Sequence, residues 1–168
     1  MPPPTPSMAS RMSALVLRVL TFIFLLASLI ILTTNTATLE VDLVEVKVHF
    51  KDVYAYRYMV AAIVIGFAYT ILQMAFTLYH VATGNRAMSD DGSLVFDFYG
   101  DKVISYVLAT GAAAGFGVTK DMKSIFAGSG NFDQFFNKGY ASASLLLLGF
   151  ICTAILSVIS SYALPKHV

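Results

Sequence analysis

Residues 96–120, FDFYGDKVISYVLATGAAAGFGVTK, constrain this chain more than any other stretch. The segment is long and apolar enough to cross a membrane. It nevertheless carries Asp101 and Lys102 near its first end and a run of Gly and Ala toward its far end. A carboxylate in hydrocarbon costs about 3 kcal/mol or more unless it is paired or hydrated. Small residues let helix backbones approach closely where no hydrophobic force drives them together. The segment therefore reads as a helix packed inside a bundle, with Asp101 turned toward protein. The closest unassigned cation on another apolar segment is Arg18, and a pair between the two is the central expectation.

Composition supports the membrane. Of 168 residues, 57% are hydrophobic and 12% charged, against roughly 25% charged in a soluble domain. The net charge of +1 gives no reason to expect nucleic acid as a partner. A single cysteine, Cys152, excludes an internal disulfide and any paired-cysteine redox or zinc framework. Lying in an apolar stretch with no base nearby, it reads as a packing residue. No nucleophile–base or metal-ligand spacing occurs, so neither enzyme activity nor a cofactor is expected.

Four spans are expected, over about 14–34, 56–80, 96–117 and 140–164, with residues 1–13 and 165–168 as tails. The first thirteen residues are Pro-rich and polar, which predicts a disordered tail. The first span is too long for the core of a signal peptide, and Arg18 interrupts it. Between the first two spans, Val44, Val46, Val48 and Phe50 alternate with Glu45, Lys47, His49 and Lys51, a period of two that predicts a strand. Leu39, Val41 and Leu43 alternate in the opposite register, so a bulge or a turn separates the halves. His49 has no second ligand at useful spacing and reads as part of a solvated strand face. The fold class is thus an all-α membrane protein, a four-helix bundle with a short β element in its first outer loop.

Polar and small residues recur at helical spacing on each later span: Gly66, Thr70, Gln73, Thr77 and His80 on the second; Asp101, Ser105, Leu108, Ala112 and Gly115 on the third; Ser142, Gly149, Thr153, Ser157 and Ser160 on the fourth. These faces should meet other helices, with Gly66, Gly111, Ala112, Gly115 and Gly149 as packing positions. His80 reads as an interfacial histidine. Gly84 reads as a helix terminator, and Pro165 as the stop of the last span. Residues 118–139 read as a second outer loop, whose Phe126, Phe132, Phe135 and Phe136 are expected to lie on the bilayer, with a contact surface as the alternative. No N-glycosylation sequon occurs.

The first and third spans run in the same direction. Arg18 and Asp101 each lie a few residues into their spans, roughly 6–8 Å below the same surface at 1.5 Å of rise per residue. A salt bridge between them requires adjacent helices, and the planar fork of arginine suits a carboxylate. The competing expectation has Arg18 snorkelling to the headgroups and Asp101 hydrated. Basic residues outside the spans do not settle orientation. The tails and middle loop hold Arg11, Arg86 and Lys166; the other loops hold Lys47, Lys51, Lys120, Lys123 and Lys138; adding Arg18 and Lys102 levels the two sides.

Four blocks, RVLTFIFLLASLIILTTNT, DVYAYRYMVAAIVIGFAYT, FDFYGDKVISYVLATGAAAGFG and KGYASASLLLLGF, resemble the plant CASP-like proteins, relatives of the Casparian strip membrane domain proteins, and most of all their 4D subgroup. The resemblance implies four transmembrane helices, cytoplasmic termini, residence in the plasma membrane and assembly into homo- or hetero-oligomers with CASP-like proteins. It also implies a distant relation to the animal MARVEL proteins. The membrane arginine and aspartate of that family fall on Arg18 and Asp101. The distinctive first outer loop and outer-loop cysteines of the Casparian strip members are missing, so placement in a Casparian strip and recruitment of lignin-polymerising enzymes do not carry over. The expected function is a non-catalytic membrane scaffold, with cell-wall proteins as candidate partners. The alternative is an oligomeric channel or transporter using Arg18, Asp101, Gln73 and His80.

Overall fold

The computed structural model describes residues 8–41, 44–83, 90–126 and 132–163. Its helices are α1 (Met8–Thr33), α2 (Tyr54–Thr83), α3 (Asp90–Ile125) and α4 (Phe132–Ala163); strands β1 (Thr36–Val41) and β2 (Val44–His49) lie between α1 and α2. All four helices are long and apolar enough to cross a membrane. The chain is an all-α, four-span membrane protein carrying one small hairpin. We refer to the end where α1 begins and α4 finishes as the terminal end, and to the other as the hairpin end.

Burial follows the logic of lipid as solvent. Val16, Ile23 and Ile30 on α1 and Ile155 and Val158 on α4 are exposed, while Thr21, Ser28, Thr70, Gln73 and Ser142 are buried. Apolar side chains lose nothing by facing hydrocarbon, whereas polar groups there need partners within the protein. Ser28 and Ser142 show the consequence. Each hydroxyl lies 2.8 Å from the other residue's carbonyl oxygen, and the two hydroxyls are 2.9 Å apart, pinning α1 to α4.

The helices pack as a ring. α3 lies most extensively on α4 and α1 on α4, with smaller contacts of α2 with α3 and α1; α1 and α3 face each other across the diagonal. Glycine permits the closest of these approaches. A Cβ on Gly111 would stand 2.8 Å from the Ala62 Cβ, and one on Gly115 would stand 2.7 Å from the Met59 Sδ. Leu25, Leu108 and Leu146 fill the centre and are fully buried.

At 36 and 32 residues, α3 and α4 outrun the roughly 20 residues that a bilayer core needs. Residues 118–139 accordingly differ from the loop expected of them, since helix covers Val118–Ile125 and resumes at Phe132. Phe132, Phe135 and Phe136 are buried rather than spread on the bilayer. Phe126 stacks on Phe132 at 5.4 Å between ring centroids, and Phe132 on Phe136 at 5.8 Å. Aromatic rings carry large apolar area and pair favourably in offset-stacked or edge-on geometry. α1 likewise begins within the expected tail, at Met8. Residues 1–7, the turn position Gly84 and the end of the chain from 164, including Pro165, lie outside the described residues.

The hairpin resolves the two opposed alternations. β1 pairs antiparallel with β2, with Ala37 opposite Val48, Leu39 opposite Val46 and Val41 opposite Val44. The antiparallel register sets the two apolar alternations opposite each other. Thr36 stands opposite His49 and Thr38 opposite Lys47. Asn35 donates from Nδ2 to the Phe135 carbonyl at 3.0 Å, tying the root of the hairpin to α4. A single 3₁₀ turn, Phe50–Asp52, leads into α2, its start closed by the His49 N–H donating to Asp52 Oδ2 at 2.8 Å.

Candidate functional site

Polar residues from all four helices meet at the terminal end. Arg18 on α1 donates from Nη1 to Asp101 Oδ1 at 3.3 Å and from Nη2 to Oδ2 at 3.4 Å. Asp101, on α3, is 0% exposed and Arg18 5%. The two helices are not the adjacent neighbours that the sequence reading required. They lie on the diagonal, and the long arginine side chain reaches across the bundle to close the pair.

Two further helices complete the knot. Tyr69 on α2 donates its hydroxyl to Asp101 Oδ1 at 2.8 Å, and Gln73 Nε2, one turn on, donates to the Tyr69 oxygen at 2.9 Å. Ser160 on α4 donates to Asp101 Oδ2 at 3.5 Å, a long contact. The carboxylate therefore collects donors from all the other helices, which is how an anion is held without water. Gly100 makes the tyrosine's position possible. A Cβ there would stand 2.5 Å from the Tyr69 hydroxyl.

Threonines surround this knot without extending it. Thr21, Thr70 and Thr153 line the space beside Arg18, Tyr69 and Asp101. Each donates its hydroxyl to a carbonyl of its own helix: Thr21 to Leu17 at 2.8 Å, Thr70 to Gly66 at 2.7 Å and Thr153 to Phe150 at 2.9 Å. The gap they leave is too narrow for a water molecule. Among the described residues, no three metal-ligating side chains come together.

Other residues singled out by spacing fall as follows. Gly66, Gly111, Ala112 and Gly115 lie buried at helix contacts. Gly149 is buried as well, but a Cβ there would meet Leu25 at an ordinary 3.4 Å, so glycine is not demanded. Cys152 is buried on α4. Both ring nitrogens of His80 are buried and have no hydrogen-bond partner among the described residues. It stands apart from the knot. Spacing did not single out Tyr69, although a tyrosine four residues before Gln73 is a readable helical pair. Gly100, next to the buried aspartate, was a second such signal.

The sequence model of the Casparian strip membrane protein domain matches residues 7–152. The chain is 79% identical to CASP-like protein 4D1 of Ricinus communis, over the full length of both. It is 68% identical to CASP-like protein 4D1 of Populus trichocarpa, covering 99% of this chain and 98% of that one. With CASP-like protein 4D2 of Arabidopsis thaliana the identity is 52%, over 99% of this chain and 97% of the other. No solved structure matches the chain. A four-span bundle bearing these sequence blocks belongs to the Casparian strip membrane domain family, among its CASP-like 4D members.

Proposed function

We propose that the protein is a non-catalytic scaffold of the plant plasma membrane. Its termini lie in the cytoplasm, and it gathers copies of itself and of CASP-like relatives into a lateral patch that cell-wall proteins can join. The observation that carries this reading is the closure of the knot. Arg18 and Asp101 neutralise each other, Tyr69 and Ser160 take up further acceptor capacity of the carboxylate, and the adjoining gap admits no water. A transport pathway needs a site that solute or proton can reach and leave. Here the guanidinium, the carboxylate and the Tyr69 and Ser160 hydroxyls are engaged in joining helices. What remains for contact with other molecules is the lipid-facing surface and the hairpin end.

The reading is tested on purified protein in liposomes and on a fluorescent fusion in plant cells. A scaffold forms detergent-stable oligomers, recovers slowly after photobleaching and passes no solute. Solute flux that disappears on Asp101→Asn would replace this reading with an oligomeric channel or transporter.

A further inference from the structure

Near the terminal end, one stretch of the lipid-facing surface is polar, and its groups are hydrogen-bond donors in search of an acceptor. Tyr99 and Tyr106 on α3 are 60% and 59% exposed, and Lys102 between them is exposed as well. At about 100° of turn per residue the three share one narrow arc of the helix, with exposed Val103 among them. α3 begins at the terminal end, and helical side chains lean toward the start of their helix. Lys102 does so, its Nζ standing 5.7 Å from the centroid of the Phe98 ring, one turn nearer that end. The same lean carries the Tyr106 hydroxyl up from one turn deeper. Among the described residues, no carboxylate pairs with Lys102, and none gives either tyrosine hydroxyl a hydrogen bond. The nearby acids are turned away. Asp101 is fully buried in the knot, and Asp97, half-buried, lies about 140° around the helix from Lys102. The far end of α3 differs, since exposed Lys120 has the exposed Asp121 beside it and no tyrosine within a turn.

We propose that Tyr99, Lys102 and Tyr106 bind the phosphate headgroup of an anionic lipid in the leaflet at the terminal end. Lys102 opens the lipid-facing stretch of α3 that Lys120 closes, so it stands where hydrocarbon gives way to headgroups. An ammonium is a compact point charge that suits phosphate, and a tyrosine hydroxyl at this depth can donate to a phosphate oxygen. Ordinary snorkelling would carry the ammonium on toward water, whereas its station over the Phe98 ring keeps it beside the tyrosines. A zwitterionic headgroup brings a cation of its own to Lys102, and an anionic one does not. Val103 and the body of the Tyr106 ring lie on the hydrocarbon side of the lysine, where an acyl chain fits and a free phosphate gains nothing. The assignment holds whichever role the bundle serves.

The chain contains no tryptophan, so a single one introduced into the full-length protein reports its own surroundings. Val103→Trp reports this face of α3. Val158→Trp, 55% exposed on α4 and close to Ser160 of the knot, is the control at a similar depth. Each is reconstituted in phosphatidylcholine liposomes carrying either phosphatidic acid or phosphatidylcholine with brominated acyl chains, which quench on contact. Phosphatidic acid is expected to be preferred about fivefold at Val103→Trp, the effect of one lysine near an anionic headgroup, and not at all at Val158→Trp. Adding Lys102→Gln should abolish the preference, and adding Tyr99→Phe with Tyr106→Phe should reduce it about twofold while the lysine remains. These exposed side chains hold no helix contact, so the variants should unfold in phosphatidylcholine as the parent does. Equal preference at the two tryptophans, or one that survives Lys102→Gln, overturns the site. A preference that needs Lys102 but ignores both hydroxyls is bulk charge attraction and overturns it as well. Inorganic phosphate in the buffer is expected to leave the quenching unchanged, and displacement of the lipid would reveal a free-phosphate site instead.

Discussion

The two ends of the bundle are closed by different forces. At the terminal end an ion pair and its donors tie α1, α2, α3 and α4 through one carboxylate. At the hairpin end, ring packing dominates. Tyr56 meets Phe135 edge-on at 5.9 Å, the phenylalanines of α4 pack on each other, and the Tyr56 hydroxyl is 2.7 Å from that of Thr119. The surroundings explain the division. Exposed Lys102 and Lys120 bound a lipid-facing stretch of α3 about 27 Å long at 1.5 Å per residue, close to the thickness of a bilayer core. Phe126 and Phe132 lie beyond Lys120 along the chain, and if that end reaches water the hydrophobic effect holds the rings together. Between the lysines there is little hydrophobic drive and close backbone contact does the joining, while the Asp101 knot closes the boundary of that stretch.

The sharpest way to break this contrast is to remove one charge from the terminal end. Asp101→Asn or Arg18→Leu leaves the remaining charge buried and uncompensated, and is expected to cost about 3–5 kcal/mol. The double change should cost clearly less than the sum. A membrane unfolding titration of the three variants measures this coupling. Strictly additive losses would show that the two charges do not depend on each other.

The hairpin end responds next. Phe135 is 1% exposed, and Phe135→Ala is expected to cost about 3 kcal/mol if water surrounds that end, as for a core ring in a soluble protein. The same change should raise hydrogen exchange in β1, whose root hangs on the Phe135 carbonyl through Asn35, and leave the terminal end protected. A cost near 1 kcal/mol with unchanged exchange would place the rings in lipid and erase the distinction between the ends.

Much of this architecture was legible in the residues, and what was not has identifiable causes. Hydropathy marks four spans because each must satisfy its backbone within itself. Counting residues from the span ends set Arg18 and Asp101 at one level because helical rise is fixed. Periodicity turned Gly66, Thr70 and Gln73 inward for the same reason. The diagonal reach of Arg18 was not legible, since spacing along one helix says nothing about which helix stands opposite. Nor was the buried aromatic tip. A run such as FDQFF suits a membrane surface and a ring stack equally until the lengths of α3 and α4 are known. The hairpin was half-legible: its alternation was plain, but the antiparallel register that sets the two alternations opposite each other depends on pairing.

The smallest effect separates two neighbouring glycines on α3 and tests whether close contact, rather than composition, joins the helices between the ends. A Cβ at Gly115 would come within 2.7 Å of the Met59 Sδ and 3.2 Å of the Ala143 Cβ, while one at Gly117 would meet nothing within 4 Å. The methionine can swing aside, but the Ala143 Cβ is fixed to its backbone, so α3 and α4 must part slightly. Gly115→Ala is therefore expected to destabilise by about 1 kcal/mol, the lower range for overpacking. Gly117→Ala adds its methyl to open space and removes the backbone freedom of glycine from the unfolded chain, so it should be neutral or stabilise by up to about 0.5 kcal/mol. The same unfolding titration reads both. Equal losses at the two positions would mean that small residues act there through the helix itself and not through the approach of its neighbours.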